Sequence, residues 1–191
     1  MGLAAPITEC YISVDIEAAG PNPADCSLLA IGACLVQVPT RSFYVELQPT
    51  HPRFDQSARA VHGLSLERLQ REGLAPEVAM QRFAEWIDQA AGSARPVFVG
   101  FNAPFDWMFV ADYFHHYLAR NPFGHSALDI KSFYMGAALV PFARTSLADL
   151  TARFPELHNL SHNARQDAID QAAVFRRVLE WRGMSLEGIA T

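Results

Sequence analysis

Cys10-Tyr11-Ile12-Ser13-Val14-Asp15-Ile16-Glu17 is a run of β-forming residues that closes on two carboxylates. Tyr11, Ile12, Val14 and Ile16 favour a strand over residues 10–16. Ala19-Gly20-Pro21-Asn22-Pro23 then breaks it. Side chains two apart on a strand share a face, so Asp15 and Glu17 point the same way at its C-terminal end. Such a pair repels, and near the end of a central strand it costs stability unless cations neutralise it. The competing reading is an exposed acidic edge.

Outward from this strand, residues 28–38 and 42–47 read as two more strands with short connections, which makes an antiparallel meander. Residues 49–76 are loop-rich. The hydrophobic period then changes. Ala79, Phe83, Trp86, Ile87 and Ala90 define one face of a helix over residues 77–91. Residues 95–101 read as a buried strand, and Asn102 stands near the start of a helix with Pro104 in its first turn. That helix, running to about residue 120, is apolar on more than one face, so it is either deeply buried or covered by another subunit. Residues 127–130 form a short strand, Ser146 caps a helix to residue 154, and the last helix begins near Asn163. The order β-β-β-α-β-α-β-α-α predicts an α/β fold. Its sheet is mixed and five-stranded, a three-stranded antiparallel meander plus parallel strands, flanked by helices in the ribonuclease-H-like manner.

The chain has 191 residues, 50% hydrophobic and 18% charged, which fits one globular domain over residues 1–191. The formal net charge of −5 argues against a protein that coats long duplexes by counterion release. A short or single-stranded end suits it better. Cys10, Cys26 and Cys34 have no metal-ligand spacing and read as buried reduced thiols. No signal peptide opens the sequence, and no apolar run is long enough to span a bilayer. The expectation is a soluble, cytoplasmic protein that makes no use of a membrane.

Two further strings carry chemistry. Asn102-Ala103-Pro104-Phe105-Asp106 puts Asp106 in a first helical turn, where an acid also serves as a helix-dipole partner. His162-Asn163-Ala164-Arg165-Gln166-Asp167 puts His162 on the approach to the last helix and Asp167 just over one turn inside it. A loop histidine and a solvated first-turn acid are the alternatives, and Asp170 is a weak rival ligand. Taken together, four carboxylates suit two hard divalent ions, Mg²⁺ or Mn²⁺. Two such ions about 3.5–4 Å apart can activate a water, stabilise an anionic transition state and assist a leaving oxygen. On this reading Asp15 bridges both ions, Glu17 and Asp167 bind the ion that holds the water, Asp106 completes the site, and His162 is the general base.

Val14-Asp15-Ile16-Glu17, the segment from Phe101 to Asp106, and His162-x-Ala164-x-x-Asp167-Ala168 together resemble the motifs of the DEDDh 3′–5′ exonucleases, the family of ribonuclease T, oligoribonuclease and the proofreading subunit of bacterial DNA polymerase III. The resemblance spans roughly residues 11–181. It implies a metal-dependent enzyme that releases nucleoside 5′-monophosphates from single-stranded RNA or DNA 3′ ends, with RNA or short oligonucleotides favoured. Val61-His62-Gly63-Leu64 matches a segment beside the terminal nucleotide, so the resemblance makes Val61 and His62 substrate contacts. Phe105 would pack against a base or sugar. Ala18 stands where members often carry a hydroxyl residue, so its backbone alone would meet the terminal 3′-hydroxyl. Members often pair, which makes a homodimer reasonable. A catalytically inactive module that binds nucleic acid or protein is the alternative function.

Overall fold

The computed structural model describes residues 8–55, 63–157 and 161–184. Strands β1 (Glu9–Ala18), β2 (Leu28–Leu35) and β3 (Ser42–Glu46) form the antiparallel meander, and β4 (Arg95–Gly100) and β5 (Ala127–Asp129) continue the sheet in parallel with β1. The strand order is β3-β2-β1-β4-β5. This is the mixed five-stranded sheet that the sequence predicts, with β1 at its centre.

The side-chain alternation of β1 divides the molecule into layers. Cys10, Ile12, Val14, Ile16 and Ala18 face one core with α2 (Pro76–Ala91) and α3 (Ala103–Leu118). Here Phe83 stacks on Phe43 and Phe114, with ring centroids 5.1 Å and 5.6 Å apart. Tyr11, on the opposite face, belongs to a second core with Val99, Phe175 and Val178. That core is covered by α4 (Ile130–Ala138), α5 (Leu147–Arg153) and α6 (Ala164–Trp181). Ala168, Ala172, Phe175 and Leu179 are buried along α6, as its period predicts. The small alanines let the helix lie close to β1 and β2.

Three elements depart from the expectation. Helix α4 follows β5 without a gap, because Asp129 both ends the strand and caps the helix by accepting the Ser132 N–H at 2.7 Å. Its β-branched and aromatic residues and internal Gly136 hid it from a period-based reading. Helix α1 (Leu66–Glu72) falls in the segment read as loop-rich, and Ser65 caps it, accepting from the Arg68 N–H. Strand β2 ends at Leu35, short of the expected Val38, because residues 38–41 turn the chain into β3.

Helix α3 resolves its expected ambiguity on both sides. Phe109, Val110, Tyr113 and Phe114 are buried, whereas Phe105 and Met108 stay exposed. All three cysteines are buried and free. Among the described residues no helix is long and apolar enough to cross a membrane.

Candidate active site

Asp15 and Glu17 project from the end of β1 toward the face covered by α6. Glu17 pairs with Ala30, and a bulge between Glu17 and Ala18 ends the regular ladder. The first turn of α6 delivers Asp167 to the same place. One carboxylate oxygen from each of Asp15, Glu17 and Asp167 lies within 4.8 Å of the other two. Residues separated by about 150 positions in sequence therefore share one acidic cluster.

Asp106 arrives from the opposite layer, on the first turn of α3. Its Oδ1 accepts the Ile16 N–H at 3.1 Å, so it is anchored to the backbone between Asp15 and Glu17 rather than grouped with the other three. The approach to α3 is tight. Asn102 adopts a left-handed conformation (φ 69°), and the Ala103 N–H donates to Asp129 Oδ2 at 2.9 Å. Asn102 thus stands at the expected helix entrance, but Asp129 satisfies the orphan N–H.

The electrostatics follow from burial and like charge. Burial, followed by the charges of Asp106, Glu17 and Asp167, holds the Asp15 carboxyl well above its ordinary range, and the Gln171 hydrogen bond opposes this. Burial and the neighbouring Asp167 and Asp106 push Glu17 up to about 8. Asp106 is raised by burial to about 7, against the Ile16 N–H bond. A cluster that resists ionisation when bare is one that a cation completes.

His162 stands on the approach to α6 with an exposed side chain and a left-handed backbone (φ 59°). Its N–H donates to Asp167 Oδ2 at 2.8 Å, and the Ser161 N–H and hydroxyl donate to Oδ1 at 2.6 Å and 2.8 Å. Asp167 thereby fixes the loop that carries the histidine. Asn163 caps α6 by accepting the Gln166 N–H at 3.1 Å. Asp170 is turned to Gln166, accepting from its Nε2 at 3.0 Å, and lies outside the acidic cluster.

Of the expected substrate contacts, Ala18 is buried on the α2–α3 side of β1, beside the bulge, and Phe105 is 37% exposed with its ring against Phe109. Val61 and His62 lie outside the described residues. Three contributors escaped the sequence reading: Ser161, Asp129 and Gln171. The last was the most legible, because a glutamine one turn after Asp167 interrupts an otherwise small and apolar buried stripe.

The donor set fits hard divalent ions. It offers carboxylate oxygens in a largely buried cluster and no thiol, the chemistry that suits Mg²⁺ or Mn²⁺ better than Zn²⁺. Asp15, Glu17 and Asp167 would hold such ions, with Asp106 behind them.

Residues 12–175 match the RNase_T exonuclease family. A 3′–5′ DNA exonuclease of Escherichia coli, Cap18, is 44% identical over 172 residues, which cover 89% of this chain and 91% of that protein. Among solved structures, the nuclease domain of 3′hExo, a DEDDh family member bound to rAMP, superposes with a TM-score of 0.75 at 14% identity, over 93% of this chain and 94% of that one. E. coli Exonuclease I in complex with a dT13 oligonucleotide gives a TM-score of 0.71 at 14% identity, over 90% of this chain and 41% of that one. These two likenesses speak to the fold, which is ribonuclease-H-like. By motif, sequence relationship and fold together, the chain belongs to the RNase_T exonuclease family, as a metal-dependent 3′–5′ exonuclease of the DEDDh type that acts on nucleic acids.

Proposed function

We propose that this exonuclease works on single-stranded 3′ ends and releases nucleoside 5′-monophosphates one at a time, with Asp15, Glu17, Asp106 and Asp167 as metal ligands and His162 as general base. The observation that carries this reading is the convergence of Asp15, Glu17 and Asp167 oxygens within 4.8 Å. Bound Mg²⁺ or Mn²⁺ would lower the pKa of the attacking water and neutralise charge on the phosphate. In this reading the His162 imidazole takes the water's proton, its approach held by Asp167. The Ala18 backbone lies by the terminal 3′-hydroxyl, and Val61, His62 and Phe105 surround the terminal nucleotide, with Phe105 offering an exposed ring to a base or sugar.

DNA ends are the substrate favoured by the 44%-identical relative, a DNA exonuclease. RNA or short oligonucleotides, the substrates expected from the sequence, are the competing arm of the test. The net charge of −5 supports frayed or single-stranded ends over extended duplex. A homodimer is also part of this reading; sedimentation at micromolar concentration would read it directly, and a clean monomer would contradict it.

The experiment is purified protein with Mn²⁺ against labelled single-stranded DNA, single-stranded RNA, duplex and dinucleotide, with product length followed over time. A ladder shortening from the 3′ end of single-stranded DNA is the expected result. Internal cleavage, or equal rates on blunt duplex, contradicts the proposal.

A further inference from the structure

We infer that Gln171 is a positioning residue for the reaction, fixing the direction in which the Asp15 carboxylate faces. The inference rests on Asp15 being a metal ligand. Gln171 is only 1% exposed and lies on α6 beside the buried Ala168, Ala172 and Phe175. A buried amide there costs free energy unless both its ends are satisfied. Both are. Gln171 Oε1 accepts the Phe101 N–H at 2.8 Å, and Nε2 donates to Asp15 Oδ1 at 2.5 Å.

The orientation of this amide is dictated by its partners. The Phe101 N–H can only donate, so it must meet the oxygen end. The NH₂ end is then turned toward Asp15. A flipped amide would set donor against donor at Phe101 and oxygen against oxygen at Asp15. Phe101 follows β4 directly and leads into α3, so one side chain ties together the three elements that carry the acids: β1 with Asp15, α6 with Asp167, and the β4–α3 turn before Asp106. With Oδ1 held by Gln171, the rotation of the Asp15 carboxylate about its own axis is fixed before any cation arrives. Hydrogen-bond partners behind a metal ligand commonly contribute about 10–100-fold to metal affinity.

The test is Mn²⁺ titration by calorimetry, without nucleic acid, on wild type, Gln171→Met, Gln171→Asn and Asp15→Asn, with Tm in EDTA measured separately. Methionine keeps the side-chain length without either hydrogen bond, and asparagine withdraws the amide by one methylene, so either folded variant decides the matter. The expected result is Mn²⁺ binding weaker by at least about tenfold in both Gln171 variants. A purely structural glutamine would lower Tm and leave Mn²⁺ affinity at the wild-type value, and that outcome overturns the inference. If Asp15→Asn loses Mn²⁺ while the Gln171 variants retain it, only the role of Gln171 falls. If Asp15→Asn binds Mn²⁺ as wild type does, the reading of the metal site falls and this inference with it.

Discussion

Gly32 of β2 lies so close under the first turn of α6 that a Cβ built on it would stand 2.1 Å from the carbonyl carbon of Ala164. Gly32 is also the ladder partner of Asp15. The missing side chain is therefore the gap through which the α6 N-terminus reaches the sheet and brings Asp167 to Asp15. Gly32→Ala should cost about 1–3 kcal/mol or more, since a backbone must move to admit the methyl group. It should also lower the activity of the molecules that remain folded, because α6 shifts with its ligand. Denaturant unfolding alongside specific activity measures both, and an alanine variant with wild-type values in each would refute the relationship.

Glu17 sets a pH dependence in the bare protein. Its folded-state value of about 8 lies above its ordinary value, so between about pH 4.5 and pH 8 the folded chain binds more protons than the unfolded one. Stability from this group is present at low pH and lost as pH rises through that window. In EDTA, Tm should fall from pH 5 to pH 8, less so in Glu17→Gln, and Mn²⁺ should reverse the fall. An identical slope in the Glu17→Gln variant would contradict the assignment.

His162→Ala should lower kcat by about 10²–10⁴-fold, the usual contribution of a positioned general base. Mn²⁺ binding should be retained, because the imidazole is not among the clustered ligands. Stopped-time nucleotide release paired with Mn²⁺ titration tests this. A variant that keeps kcat removes His162 from the chemistry.

Phe105→Ala removes an exposed ring, so folding should change little. Base stacking on an aromatic side chain is worth about 1–3 kcal/mol. We expect KM for a single-stranded oligonucleotide to rise about fivefold or more, with Tm unchanged. An unaltered KM would place the ring outside the nucleotide's path.

The parts of the site that rest on local pattern were legible in the sequence. Strand alternation put Asp15 and Glu17 on one face, and the helix entrance at Asn163 located Asp167. What local pattern does not carry is contact between distant segments. Gln171 gains meaning only from Phe101 and Asp15, 70 and 156 positions away. Asp129 was hidden because one residue closes β5 and opens α4 with no turn signal between them. Gly32 read as one apolar strand residue among others until the helix above it was in place.

Anomalous diffraction from crystals grown with Mn²⁺ tests the account most directly. Two Mn²⁺ peaks should appear between Asp15, Glu17, Asp106 and Asp167, with an Asp15 oxygen bound to both ions. The absence of peaks there at saturating Mn²⁺, or peaks held by other side chains, would contradict the account.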